Sequence, residues 1–174
     1  SRAEWDAQLA ASLVGCRDEE QLGERLRQFR RRAMLRIVWR DFAGLAPLLE
    51  TTADMSALAE ACVRAAINYL APLAQAQWGQ PIGRESGEPQ QLLVLGMGKL
   101  GGYELNVSSD IDLIFAYPER GETQPVAGSA ARSIDNQTFF IKLGQKLIKA
   151  LDAPTVEGFV FRVDMRLRPY GQSG

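Results

Sequence analysis

The 174-residue chain contains no histidine. That absence removes histidine general bases, serine-histidine-aspartate triads and imidazole metal ligands together. Cysteine is scarce as well. Only Cys16 and Cys62 occur, with no CxxC, so neither a disulfide framework nor a cysteine zinc site is expected. No apolar run approaches the roughly 20 residues that cross a membrane. The opening residues, SRAEWDAQ, lack the pattern of a signal peptide. A reducing, cytoplasmic setting is therefore the expectation. In that setting the glycosylation-like tripeptides at Asn106 and Asn136 are read as chance. The net charge of -1 argues against a general nucleic-acid binder, though a local basic patch stays open.

What is present is 46% apolar residues, enough for one ordinary domain with a real core. Catalysis in such a chain must use carboxylates, lysine, serine, tyrosine or bound metal. A site of oxygen ligands alone suits Mg²⁺ or Mn²⁺.

The first part of the chain reads as helical. Residues 4–14 suit a short helix. From Asp18 onward Leu22, Leu26, Phe29, Ala33 and Ile37 recur at steps of three or four, with Met34, Val38 and Phe42 widening the apolar face. Asp18, Glu19 and Glu20 sit where the helix macrodipole favours negative charge. Seven arginines between Arg25 and Arg40 decorate this helix; a solvated face with arginine stems over the core edge is the expected reading, and a basic patch for phosphate or an acidic partner is the alternative. A second helix is expected over 55–78, capped by Asp54 or Ser56. Residues 1–78 thus form a helical segment, 79–90 a breaker-rich linker, and 91–174 a separate core.

In that core, residues 92–95 form a short apolar run entering a glycine turn, which reads as a buried strand. A second strand is expected over 112–117, a mobile polar loop over 118–133 and a helix over 134–151. Residues 156–167 contain an alternating strand that puts Phe159, Phe161 and Val163 on the core face. Asp164 then lies on the other face with Val160 and Arg162.

The glycine turn admits three readings. Gly96-Met97-Gly98-Lys99-Leu100-Gly101 fits GxGxxG, but Asp110 follows Gly96 by only 14 residues. That leaves no room for the crossover helix of a dinucleotide fold. Gly98-Lys99 lacks the first glycine and the hydroxyl of a P-loop, because Leu93 and Leu100 stand in those places. The third reading takes Leu100-Gly101-Gly102 as the turn and Asp110-x-Asp112 as its partner, an arrangement that resembles the pattern of the nucleotidyltransferase superfamily. Residues i and i+2 of a strand point the same way, about 7 Å apart, so two carboxylates there can grip a pair of divalent ions. Gly101 and Gly102 would let backbone amides approach a phosphate. Lys99, Ser108 and Ser109 add contacts, and Asp164 supplies a third acid.

The match then extends beyond the superfamily. GMGKLGGYELNVSSDIDLIFAYPE (96–119) and DNQTFFIKLGQKLIKALDAPTVEGFVFRVDMRLRPYGQSG (135–174) resemble the bacterial glutamine synthetase adenylyltransferase / adenylyl-removing enzyme family, as does RQFRRRAMLRIVWRD (27–41). The resemblance implies an α+β fold, a nucleotidyltransferase-like small mixed sheet with helices, preceded by a helical bundle segment. It implies Asp110, Asp112 and Asp164 as catalytic ligands of two Mg²⁺ or Mn²⁺ ions. Gly101, Gly102, Ser108, Ser109, Lys99, Arg166 and Arg168 would serve nucleotide and phosphate, with ADP, ATP and phosphate as substrates or products. Glutamine synthetase is the implied partner, with a PII signal protein acting on the longer enzyme. The sequence around Ser108–Phe115 and Gly158–Arg166 resembles the half that removes AMP by phosphorolysis. The adding half, which uses ATP, and a non-catalytic nucleotide-sensing or docking module are the alternatives.

Overall fold

The protein is described by a computed structural model covering residues 2–125 and 132–164. Three helices open the chain: α1 (Arg2–Leu13), α2 (Glu19–Phe42) and α3 (Leu48–Trp78). Asp18 caps α2, its carboxylate accepting the Gln21 N–H at 2.8 Å. Leu22, Leu26, Ala33 and Ile37 are buried, as their spacing requires. Val38 and Phe42 do not extend that face. Phe42 is 89% exposed, because the helical turn carries it, with Leu35 and Trp39, round to the outer side.

Helix α3 begins seven residues earlier than its expected start, after Pro47 rather than at Asp54 or Ser56. Nothing between 48 and 55 breaks a helix, and Thr51 is held by donating its hydroxyl to Asp41 at 3.0 Å. Ser56 is a fully buried helix-interior residue whose hydroxyl donates to the Thr52 carbonyl at 2.9 Å. Much of the arginine face is also structural. Arg25 donates to the carbonyls of Ser12 and Val14 that end α1, and Arg40 bridges Glu50 and Asp54 on α3. Arg30 lies over the rings of Phe159 and Phe161.

Two small sheets follow. Strand β1 (Gln80–Gly83) pairs antiparallel with β4 (Gly121–Gln124). The residues expected as linker and as mobile loop therefore contain paired strands. Their sequences, QPIG and GETQ, lack an apolar alternation that could announce them. The pair is tied down by Asn136, whose side-chain amide donates to the carbonyls of Ile82 and Glu119 at 2.9 and 3.3 Å. The second sheet runs in the order β2 (Leu93–Met97), β3 (Ile111–Ala116), β5 (Val163–Asp164). β2 is antiparallel and β5 parallel to the central β3. A one-turn helix, α4 (Gly98–Gly101), follows β2, and α5 (Asn136–Asp152) precedes β5.

The expected alternation over 156–167 holds only at Val163–Asp164. Val160 and Phe161 are both buried, and both backbone N–H groups donate to the Leu151 carbonyl, at 2.9 and 3.0 Å. A tight turn between Thr155 and Gly158 brings the chain back over the end of α5, so 159–162 wrap the helix terminus instead of alternating. Residues 165–167 lie outside the described part.

One continuous buried cluster runs from Trp5 and Leu9 through α2 and α3 to Phe139 and Leu147 on α5 and to Ile111 and Leu113 on β3. The helical segment and the sheet thus share a core, and the fold is α+β. Among the described residues no helix is long and apolar enough to cross a membrane.

Cys62 sits at the centre of this core, where burial pushes its thiol up to about 12, partly offset by the nearby Arg30 charge. In the unfolded chain the same thiol ionises near 9.0. Its contribution to stability is therefore whole below pH 9 and falls as pH rises towards 12. A denaturant midpoint that declines across that window, with a flatter decline in Cys62→Ala, is the expected result. At pH 8 a thiol reagent should modify the half-buried Cys16 in the native protein and leave Cys62 untouched.

Candidate active site

Central strand β3 sets the site. Its register places Met97 opposite Asp112 on one side and Asp164 opposite Asp112 on the other. Register partners on neighbouring strands project to the same face, and adjacent strands lie about 4.8 Å apart. Asp112 and Asp164 are therefore side-by-side carboxylates, both half-buried, from strands 52 residues apart in the chain. Like charges placed opposite each other in a sheet are destabilising unless a cation lies between them. Asp110 sits one residue before β3 and is exposed. Among the described residues, no three acid or cysteine side chains converge into a ready-made metal cage.

The glycines around the turn differ in what they permit. Gly98 has φ +53°, and a Cβ there would lie 2.8 Å from Asp112 Oδ2. Its missing side chain is what gives the Asp112 carboxylate its place. A Cβ on Gly101 would lie 2.6 Å from the Gly96 carbonyl oxygen, so Gly101 lets α4 fold back onto β2. Gly102 meets only ordinary contacts and has φ -84°. The steric demand thus falls on Gly98 and Gly101. Reading Gly101-Gly102 as the turn overlooked Gly98, whose signals in the sequence were its places in the rejected GxGxxG and P-loop patterns.

Lys99 and Ser109 are brought together, with Lys99 Nζ donating to Ser109 Oγ at 3.4 Å. Ser108 is exposed beside them. Arg166 and Arg168 lie outside the described residues. A cleft of about 540 Å³ lined by Phe115, Tyr117, Phe140 and Ile141 lies at the other end of β3, on the face opposite Asp112, and is separate from the carboxylates.

The structure thus brings two carboxylates from neighbouring strands beside a glycine turn. A profile of the glutamate-ammonia ligase adenylyltransferase family matches residues 2–174. The chain belongs to this family. The bifunctional glutamine synthetase adenylyltransferase/adenylyl-removing enzyme of Pseudomonas aeruginosa is 63% identical over 171 residues, which are 98% of this chain and 17% of the relative. The enzymes of the same name from Pseudomonas syringae and Shewanella loihica are 55% and 53% identical over the whole chain, covering 17% and 18% of their lengths. This adenylyltransferase-family chain thus spans about a sixth of the curated relatives it matches.

The glycine geometry separates three variants. Gly101→Ala pushes a methyl into backbone and is expected to cost more than about 1 kcal/mol. Gly98→Ala displaces the Asp112 carboxylate and strains a left-handed residue, at a cost of about 1 kcal/mol. Gly102→Ala should leave the melting temperature within the range of a neutral change. Thermal melts of the three variants check the order.

Proposed function

We propose that this chain is the nucleotidyltransferase core of the adenylyl-removing half of the enzyme. Inorganic phosphate attacks the α-phosphorus of an adenylyl-tyrosine on glutamine synthetase. A phosphorus–oxygen bond to phosphate forms and the bond to the tyrosine oxygen breaks. The products are ADP and tyrosine, whose phenolate has a pKa of about 10 and takes up a proton. The observation that carries this reading is the direct pairing of Asp112 with Asp164 beside Gly98.

Two of the residues present, Asp112 and Asp164, suit a divalent ion between them. The donors are all carboxylate oxygens, the two principal ones are side by side, and Gly98 leaves the Asp112 carboxylate uncrowded. Asp112 and Asp164 would hold Mg²⁺ or Mn²⁺, with Asp110 joining them from the entrance of β3. Two such ions, when bound, would neutralise charge on the attacking and departing oxygens. The chain's own contributions are separate from that. Lys99, exposed at the turn, supplies a positive charge for phosphate. The turn of Gly101 and Gly102 brings backbone close to the transferring group, and Ser108 lies at its rim. Arg166 and Arg168 would neutralise further phosphate charge. In the longer enzyme, a PII protein would be the controlling partner.

Asp112→Asn in the full-length enzyme should reduce phosphate-dependent release of AMP groups at least about a hundredfold, the scale expected when a principal charge-stabilising contact is removed. Release near the wild-type rate would refute the site. ATP-dependent labelling of glutamine synthetase by this half, assayed without the other, would assign it to the adding reaction instead.

A further inference from the structure

We infer that Asn106 is a positioning residue for the phosphate-binding end of this site, acting through Ser109 on Lys99; the inference rests on the function proposed above. Residues 102–110 join α4 to β3 and carry the exposed polar groups of the turn. At one point this loop is pinned. Leu105 is fully buried, and its backbone N–H donates at 3.1 Å to the hydroxyl of Ser56, itself fully buried in α3. The residue that follows the pin is Asn106.

Asn106 holds Ser109 in two ways. Its backbone carbonyl accepts the Ser109 N–H at 3.2 Å. Its side-chain oxygen accepts the Ser109 hydroxyl. A serine hydroxyl has one proton and two lone pairs. With its proton directed to Asn106, Ser109 turns its lone pairs outward, and Lys99 Nζ donates to that oxygen. A second tie runs the other way, since the Glu104 N–H donates to the Lys99 carbonyl at 2.8 Å. Lys99 is thus steadied at both its backbone and its ammonium by the loop that Leu105 anchors.

This changes the role of Ser109. While its proton is engaged by Asn106, the hydroxyl serves Lys99 as an acceptor and does not donate to an anion. The ammonium keeps two further protons for phosphate. Flexible lysine stems lose much freedom on being held, so aiming the ammonium beforehand favours capture of the anion. The expected signature is therefore in phosphate binding.

In the full-length enzyme, Asn106→Ala should raise the KM for inorganic phosphate about tenfold, the loss of one charge-assisted hydrogen bond. The kcat and the melting temperature should hold near wild type. Ser109→Ala, which removes only the hydroxyl, should give the same rise, and Ser109→Thr should restore the wild-type KM. The double variant Asn106→Ala/Ser109→Ala should be no worse than either alone, since both act through one contact. An unchanged phosphate KM in Ser109→Ala, or effects of the two changes that multiply, would overturn the inference. Asp112→Asn assayed in parallel keeps the two questions apart. If it abolishes turnover while Ser109→Ala leaves KM unmoved, only the Asn106 role fails. If it retains turnover, the site itself is misassigned.

Discussion

Everything in the candidate site hangs on how β3 is paired. Its antiparallel bond to β2 brings the glycine turn up beside Asp112. Its parallel bond to β5 brings Asp164 to the same level. A slip of one residue on either side would turn a carboxylate to the other face, where Ile111 and Leu113 fill the core. The buried alternation of β3 therefore fixes more than stability. It aims Asp112, and the packing of Phe139, Leu143 and Leu147 on α5 keeps the sheet from shifting.

The helices contribute in a way that composition alone would not suggest. α3 reaches the loop of residues 102–110 through a hydrogen bond from the Leu105 N–H to the Ser56 hydroxyl. A buried backbone N–H left without a partner costs about 1–3 kcal/mol, so that contact fixes the loop at a defined height above the helix. Arg30 joins α2 to the segment leading into β5 by lying over Phe159 and Phe161. Ser56 and Arg30 thus join the helical part to the segments that flank β3 and β5.

The sequence made some of this legible and hid the rest for physical reasons. Asp112 and Asp164 could be singled out as candidates because apolar residues flank each at short range. The strand around Asp112 and the helix α5 were evident for the same reason. β1 and β4 could not be seen, since their pairing rests on backbone hydrogen bonds and on Asn136 rather than on apolar side chains. Val160 was placed on the wrong face because a turn at residues 155–158 breaks the strand period. Gly98 was passed over in favour of Gly102 because two adjacent glycines look like a turn, while the clash that demands Gly98 comes from a residue 14 positions on. Asn106 was read only as a chance tripeptide. Its partner is three residues away, but the anchoring of Leu105 that gives the contact meaning comes from a helix 49 residues earlier.

The 52-residue gap between the paired carboxylates has a consequence for timing. Parallel pairing of strands so far apart must close a long loop, through α5, before any contact repays it. Local elements such as α2 and the β2–β3 hairpin need no such closure. Asp112 and Asp164 can therefore meet only once β5 has paired with β3. A partly folded chain without that pairing would hold its glycine turn and Asp112 but not Asp164 beside it. Juxtaposition of the two acids is thus a late outcome of folding, reached only when β5 docks on β3.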